Sequence, residues 1–523
     1  MLRTLLLSLL AVLCLFEPAL GQDDPAKLDA VREFQKQWKK FKDEPLQVEA
    51  VMTLKGNECR PAAEELLRLL KHPSGAVQQA ALTVLETYRE PATFQVWIDE
   101  LPKVKEQEQV AILVKVFGRS KVKAAVPAIE AAAADPKATA VVKFEAVRAF
   151  QAIGTGGSVA LFGNLLGDKE PQVRMAALDT ITALKLKDHA APAVKLLKDP
   201  EWQVQTAAVA AIGALRVQDA IQPLIDKLRE NGRLQVEIAD SLFKITAADN
   251  GLDVERWQTW WNQCKEITGW RIPTDEELAK KAENRKKYDA LYGKHADKKT
   301  NAFAGIPTTS TNVLFIIDVS GSMEDLCVEK EKFQGYRDLK RFTIVQTELL
   351  NTLDALTADT NFDIVAFATD IDPWKKRLVP ANVVNREAAK AWVKSLKPLG
   401  GSEAQDLAMA GLGGSANLQA GKTNTLGALL YAFGIDPEKP PKAVVTGFDK
   451  NAIKSPLDTV YFLSDGRPSV GKLIDTNEIL KEVRKYNEIY RIVFHAIAIG
   501  EFQKEFLQVL AEQNGGVFVD LGR

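Results

Sequence analysis

A segment of about 32 residues repeats through the first half of the chain, and this period limits the possible fold more than any other feature. A helix-ending phrase recurs as Leu-Leu-Lys-His-Pro at 69–73, Ala-Ala-Ala-Asp-Pro at 132–136 and Leu-Leu-Lys-Asp-Pro at 196–200. Six anchor residues follow at spacings of 31, 33, 32, 31 and 31, namely Leu70, Leu101, Ala134, Leu166, Leu197 and Leu228. A second apolar stripe after each anchor predicts two helices per unit, which is typical of a stacked solenoid.

The apolar stripes of the repeats are rich in small residues. Val173, Ala176, Ala177 and Ile181 follow the i, i+3, i+4, i+8 pattern of a buried helix face, and the alanines let neighbouring helices approach closely. The stretch 60–250 resembles HEAT repeats, in the short form also seen in phycobilisome-lyase-like proteins. We therefore expect an all-α, HEAT-like solenoid of about six units, preceded by a helical segment at 22–59.

The first 21 residues have the pattern of a secretory signal peptide. Arg3 supplies the positive end, residues 5–16 form an apolar run, and Ala19-Leu20-Gly21 places small residues where a signal peptidase cleaves. No later segment reaches the ~20 apolar residues that span a bilayer. We expect an exported protein, periplasmic or extracellular after cleavage near Gly21-Gln22, with no transmembrane segment in the mature chain.

Charge and cysteine content exclude two classes of protein. Lys and Arg total 68 against 69 for Asp and Glu, so the chain lacks the basic excess of a dedicated nucleic-acid binder. Its four cysteines are too few for a disulfide framework. Three of them, Cys59, Cys264 and Cys327, remain after signal cleavage, and an odd number leaves at least one free thiol within a single chain.

Residues 251–307 are interpreted as a cap and a linker. Trp257, Trp260, Trp261 and Cys264 occupy one face of a helix, which favours a helix that seals the end of the solenoid. An aromatic platform for a glycan is the alternative, although no polar pattern supports it. Thr274-Asp275-Glu276-Glu277 is a capping box that opens a charged helix to about Tyr292. Residues 280–299 carry eight Lys or Arg against three acids. This local basic excess indicates a solvated face, or a contact with an anionic surface.

Apolar runs and helical patterns alternate after residue 308. Strands are predicted at 313–317, 362–367, 458–463, 491–499 and 516–520. Helices are predicted near 337–356, 385–397, 423–434, 475–487 and 502–513. This alternation predicts a doubly wound, Rossmann-like α/β domain with a mostly parallel sheet, whose ligand site lies beyond the carboxyl ends of strands. The whole chain is thus multidomain.

Hydroxyl and carboxylate side chains follow two of the predicted strands. Asp318-x-Ser320-x-Ser322 ends the first strand, and Asp465 follows the strand at 458–463. Thr423, ahead of an apolar helix, can bring a third hydroxyl. Such hard oxygen donors are the ligands that Mg²⁺ prefers. The alternative is a purely structural role, in which these residues only cap strand-to-helix turns.

The segment 308–523 resembles the von Willebrand factor type A domain. Asp318-Val319-Ser320-Gly321-Ser322-Met323 matches the first part of that family's metal-ion-dependent adhesion site, and Thr423 and Asp465 match its second and third loops. The resemblance implies that Ser320, Ser322 and Thr423 contact Mg²⁺, or Mn²⁺, directly, whereas Asp318 and Asp465 act mostly through water. Residues 401–420 and 435–456 are insertions, and the first makes Gly400-Gly401-Ser402 a competing candidate for the second loop.

An interaction protein is the function that these features favour. An open, electrophilic metal position suits a Glu or Asp carboxylate of a protein partner, and the solenoid offers a second binding surface. Residues 416–423 fit a relaxed P-loop, but no hydrophobic strand precedes them. The histidines (His72, His189, His295 and His495) are scattered, so we expect no enzyme. A metal-assisted hydrolase and a purely structural solenoid with a vestigial metal site are the alternatives.

Overall fold

The computed structural model describes residues 24–292, 302–303, 306–307, 310–327, 336, 338–400, 421–436, 448, 452–500 and 504–521. The predicted signal peptide, the predicted insertion at 401–420 and part of the predicted linker lie outside the described residues. The chain divides into two compact units, residues 1–186 with 442–448 and residues 187–441 with 449–523. None of the helices in the described ranges is both long and apolar enough to cross a membrane.

The first unit consists of successive helices that pack in pairs, as the period of about 32 residues predicts. Its helices are α1 (Pro25–Trp38), α2 (Glu44–Met52), α3 (Arg60–Leu69), α4 (Gly75–Leu85), α5 (Pro91–Glu100), α6 (Gln107–Arg119), α7 (Val126–Ala134), α8 (Ala140–Ile153), α9 (Val159–Leu166) and α10 (Pro171–Leu184). Local chemistry sets several starts: the Ser74 and Ser158 hydroxyls accept hydrogen bonds from the first-turn amides of α4 and α9. The predicted helical segment before residue 60 is α1 with α2.

Helices of successive repeats pack very closely in the first unit. A Cβ placed on Gly118 of α6 would lie 2.6 Å from the Cα of Ala149 in α8, so only glycine fits there. Hydroxyl groups add hydrogen bonds between repeats. Thr180 Oγ1 donates to the Val147 carbonyl over 3.2 Å, and Ser120 Oγ donates to the Leu85 carbonyl over 2.8 Å. The close approach expected from the small residues is thus present.

Repeats continue into the second unit and end in a tryptophan-rich helix. The helices are α11 (Ala190–Lys195), α12 (Trp202–Leu215), α13 (Ile221–Arg229), α14 (Gln235–Thr246), α15 (Val254–Lys265) and α16 (Asp275–Tyr292). Helix α15 packs against α13 and buries Trp257, Trp261 and Cys264, which agrees with a capping helix. The predicted capping box opens α16: Glu277 accepts from the Thr274 amide at 2.7 Å, and Thr274 Oγ1 accepts from the Glu277 amide at 3.3 Å.

A seven-stranded, mostly parallel sheet lies at the centre of the remaining part of the second unit. Its strands are β3 (Asn312–Asp318), β4 (Asn361–Phe367), β5 (Ile371–Pro373), β6 (Val379–Pro380), β7 (Thr459–Ser464), β8 (Val493–Ala498) and β9 (Phe518–Asp520), after a small ribbon of β1 (Ala302–Phe303) and β2 (Ile306–Pro307). The order is β5-β4-β3-β7-β8-β9, with β6 also on β4. All five predicted strands are confirmed. The antiparallel β5 and β6 were not predicted, because two or three residues carry no readable alternation.

Helices cover both faces of this sheet. They are α17 (Arg341–Ala355), α18 (Val383–Ser395), α19 (Thr425–Tyr431), α20 (Thr476–Tyr490) and α21 (Lys504–Gln513), close to the predicted positions. One core includes Phe315 and Leu349, and the other includes Ile316 and Leu429, so β3 is buried on both sides. Strands β3 and β7 are parallel neighbours with Ile317 opposite Leu463. Their carboxyl ends therefore meet, and this is where the polar residues lie.

Candidate metal centre

Asp318 is fully buried at the end of β3, and both of its carboxylate oxygens are held. The Ser320 amide donates to Asp318 Oδ1 over 2.8 Å. Ser464 Oγ, from the end of β7, donates to Asp318 Oδ2 over 2.6 Å. The parallel pairing of β3 and β7 thus fixes the orientation of the Asp318 carboxylate through contacts within the protein itself.

The two serines of the first loop connect Asp318 to Asp465. Ser320 Oγ lies 3.3 Å from Ser322 Oγ, and Ser322 Oγ donates to Asp465 Oδ1 over 2.8 Å. Asp465 is also buried. These alternating residues share one side of a tight loop, as their sequence spacing predicts.

Thr423 reaches the same place from a loop far away in sequence. A Cβ built on Gly466 would lie 3.1 Å from Thr423 Oγ1, 3.5 Å from Ser322 Oγ and 3.7 Å from Asp318 Oδ2. These three oxygens therefore surround one small volume beside Gly466, which leaves it open by having no side chain. The loop of Thr423 is held by the Ser469 hydroxyl, which accepts from the Thr423 amide at 2.9 Å.

All five predicted residues, Asp318, Ser320, Ser322, Thr423 and Asp465, are thus brought together. Of the competing candidate at 400–402, only Gly400 is described, with a φ of +71°. Most of the P-loop-like stretch 416–423 also lies outside the described residues. His495, in β8, stacks on Tyr461 with ring centroids 4.8 Å apart, and its Nδ1 accepts from the Val517 amide. His495 is therefore a structural residue of the sheet, as its position in the apolar stretch 493–497 predicts.

Arg341 is, with Ser464, one of two site residues that were not predicted from the sequence. Its side chain is only 7% exposed, and Nη1 donates to Asp465 Oδ2 over 2.7 Å. A signal for it does exist: Arg341, Ile344, Val345 and Leu349 follow the apolar i, i+3, i+4, i+8 spacing of α17. A cation at a core position of a helix requires a buried anionic partner.

Electrostatics at the centre are dominated by two buried carboxyl groups. Burial, together with the charge of Asp465, raises the pKa of Asp318 above its usual range. Burial raises the pKa of Asp465 as well, although the hydrogen bonds from Arg341 and Ser322 oppose that shift. Two ionised carboxylates against one guanidinium leave a net charge of about −1 in a poorly solvated place, which favours a bound cation.

The donor set fits a magnesium ion better than a softer metal. Three hydroxyls and two carboxylates offer oxygen only. Among the described residues, Thr423 Oγ1 has no hydrogen-bond partner, so this hydroxyl is available to a ligand. In the described ranges, no group of three or more His, Cys, Asp or Glu side chains is placed to hold a metal ion, so an ion here would also need the hydroxyls. Ser320, Ser322 and Thr423 would hold the ion, with Asp318 and Asp465 around it.

Comparison with known proteins identifies both parts of the chain. Residues 159–242 match the family of HEAT repeats. Residues 311–410 and 416–520 match the von Willebrand factor type A domain. The chain therefore combines HEAT repeats with a C-terminal von Willebrand factor type A domain, a class of protein-interaction module. This confirms the family resemblance and the fold class predicted from the sequence.

Individual relatives resemble part of the chain. Inter-alpha-trypsin inhibitor heavy chain H1 of Mesocricetus auratus is 29% identical over 209 residues, which is 40% of this chain and 18% of the relative. Heavy chain H3 of Mus musculus is 35% identical over 92 residues, which is 18% of this chain and 9% of the relative. The chain thus spans about a fifth or less of the length of these relatives. Among solved structures, a von Willebrand factor type A protein from Catenulispora acidiphila covers 40% of this chain and 38% of its own, at 17% identity and a TM-score of 0.26.

Proposed function

We propose that this chain is an exported protein-interaction scaffold that binds an acidic group of a protein partner through a Mg²⁺-occupied site. Ser320, Ser322 and Thr423 would contact the ion, and Asp318 and Asp465 would act mostly through water. The HEAT solenoid would supply a second binding surface. One observation carries the proposal: oxygen donors from two separate loops, Thr423 on one and Asp318 with Ser322 on the other, surround the space beside Gly466 on a third loop.

The chemistry of the site favours an anionic partner group. Magnesium keeps an octahedral shell and often retains exchangeable water. Because hydroxyls donate little charge, the ion remains electrophilic at an open position. A Glu or Asp carboxylate is the common protein group that satisfies such a position. The proposal includes no catalytic step.

Calorimetric titration of the protein lacking residues 1–21 with Mg²⁺ or Mn²⁺ tests the metal site. We expect binding at one site, abolished in Asp318→Ala and weakened at least about tenfold in Thr423→Ala, since each removes part of the shell. Asp372→Ala is the matched control, because Asp372 is an exposed carboxylate on β5. Equal heats in Asp318→Ala and in the parent protein, with both folded, would overturn the proposal.

Two alternatives give different results with the same variants. A metal-assisted hydrolase would show turnover that disappears in Asp318→Ala. A purely structural solenoid would keep its partners after chelation and after that substitution. A carboxylate-binding domain instead loses partner capture in both conditions while the HEAT repeats stay folded, as circular dichroism can verify.

Export is part of the proposal and rests on the pattern of residues 1–21. Expression of the full chain in a secreting bacterial host, followed by N-terminal sequencing, tests it. We expect a mature chain that begins near Gln22 and is recovered outside the cytoplasm. An unprocessed chain in the cytoplasmic fraction would contradict this part alone and would leave the metal site unaffected.

A further inference from the structure

Arg341 is positioned by three separate parts of the domain. It begins α17, its Nη1 bonds Asp465 Oδ2 at 2.7 Å, and it also lies 3.4 Å from the Ser322 carbonyl oxygen. A Cβ placed on Gly500, whose φ is +118°, would lie 3.1 Å from Arg341 Cζ. The chain after β8 therefore gives the guanidinium its space, and the arginine is built into the centre rather than resting on its surface.

The charges around this guanidinium differ from those of a site made of carboxylates alone. Asp318 and Asp465 are buried, whereas the nearest other acid, Asp325, is 56% exposed and lies 3.6 Å from Nη1. Exposed Asp325 is screened by water and contributes little. When Asp318 and Asp465 are both ionised, the empty site without Arg341 would carry −2 and the loaded site would be neutral. With Arg341 the empty site carries −1 and the loaded site +1.

We propose that Arg341 is an internal counter-cation that holds Asp465 in place when the site is empty and leaves the loaded site with a net positive charge. It is a positioning residue, since it acts through Asp465 and does not itself contact the ion. The loops therefore keep their arrangement without metal, and the loaded site selects an anionic partner group. This inference rests on the metal site of the proposed function.

Thermal unfolding of Arg341→Met, in EDTA and in saturating Mg²⁺, tests the inference. In EDTA we expect a melting temperature about 5 °C or more below the parent protein, because Asp318 and Asp465 lose the one buried cation that the described residues place beside them. Mg²⁺ should recover at least half of that loss, since the ion replaces the missing charge. The double variant Arg341→Met/Asp465→Asn should also recover in EDTA, because the repulsion is removed at its source.

Two further variants separate charge from packing. Arg341→Lys keeps the charge but not the planar guanidinium, so we expect its melting temperature in EDTA to fall less than that of Arg341→Met. Arg386→Met is the matched control, because Arg386 donates to the backbone carbonyls of Asp354 and Leu356. The fall in melting temperature of Arg386→Met should be the same in EDTA and in saturating Mg²⁺.

The outcomes distinguish this inference from the proposed function. If Arg341→Met is destabilised equally in EDTA and Mg²⁺, and Asp465→Asn brings no recovery, Arg341 is only a packing residue and the inference is wrong. If the parent protein binds no Mg²⁺ in the calorimeter, the proposed function fails. Recovery of Arg341→Met by Asp465→Asn in EDTA would still support the counter-cation role in that case.

Discussion

The Gly321 amide donates a hydrogen bond to the Gly421 carbonyl oxygen over 3.1 Å, which fastens the loop after β3 to the loop before α19. The Leu399 amide donates to the Val319 carbonyl oxygen over 2.8 Å, so the described chain on the other side of residues 401–420 is attached to the same loop. Closing a longer loop costs only slightly more entropy than closing a short one. A long connection between Gly400 and Gly421 therefore leaves Thr423 beside the other oxygen donors.

Gly421→Ala should disturb the centre through this junction. A Cβ at Gly421 would lie 2.1 Å from the Leu399 carbonyl oxygen, and a backbone atom cannot yield as a side chain can. We expect the backbone around residue 421 to move, and Thr423 with it, which should lower Mg²⁺ affinity at least about tenfold. The free energy of unfolding should fall by about 1–3 kcal/mol. Calorimetry and urea unfolding measure the two effects.

Lys422→Ala is the control for that variant. The Lys422 side chain is partly exposed and stands next to Gly421, so its removal should leave both Mg²⁺ affinity and stability nearly unchanged. Loss of nucleotide binding in Lys422→Ala, if the parent protein bound a nucleotide, would instead favour the P-loop interpretation of 416–423.

Local sequence patterns were sufficient to predict most elements of the sheet domain and all five oxygen donors that meet there. Each signal lies within a few residues, such as the apolar run of β3 followed by Asp318, Ser320 and Ser322. Arg341 and Ser464 were not predicted as site residues. Their partners, Asp465 and Asp318, lie 124 and 146 residues away. Such pairings depend on which strands become neighbours, and that information is absent from any local window.

Substitution of two helical glycines should have opposite effects on the stability of the first unit. Alanine at Gly118 would drive α6 away from Ala149 of α8, so we expect the free energy of unfolding to fall by about 1–3 kcal/mol. Gly163, in α9, has open space around it, so alanine there should gain about 0.5–1 kcal/mol from helix propensity. Urea denaturation measures both values. Destabilisation of equal size in the two variants would contradict the close packing of α6 and α8.

Ser464→Ala tests whether a residue outside the metal shell controls Asp318. The substitution removes the 2.6 Å hydrogen bond to Asp318 Oδ2 and leaves that buried oxygen without its donor. We expect a folded protein with Mg²⁺ affinity lowered about tenfold, since partners that orient a ligand commonly have effects of that size. Ser395→Ala is the control, because Ser395 is exposed at the end of α18 and donates only to the Trp392 carbonyl. Unchanged affinity in Ser464→Ala would mean that the strand end holds Asp318 without it.

Arg233 joins the HEAT repeats to the sheet domain within the second unit. It lies between α13 and α14, and its Nη2 donates to the Arg491 carbonyl oxygen at the end of α20 over 3.1 Å. Its Nη1 donates to Glu237 Oε1 at 3.1 Å, and its guanidinium stacks 4.5 Å from the Trp202 ring. Burial raises the pKa of Glu237, and the charge of Arg233 opposes that shift. The Arg233 side chain thus connects a repeat helix, the half-buried Glu237 and the C-terminal end of α20.

Arg233→Ala should therefore weaken the attachment of the repeats to the sheet domain. We expect the free energy of unfolding to fall by about 3 kcal/mol. The Arg233 side chain is only 11% exposed, and its removal leaves Glu237 without its cation. Unfolding in urea should change from one transition to two, as the repeats and the sheet domain lose their coupling. Arg229→Ala is the matched control, because Arg229 is 53% exposed and its ion pair to exposed Glu255 is long at 3.7 Å. Its free energy of unfolding should change by no more than about 0.5 kcal/mol. A single transition of unchanged midpoint in Arg233→Ala would show that other contacts hold the two parts together.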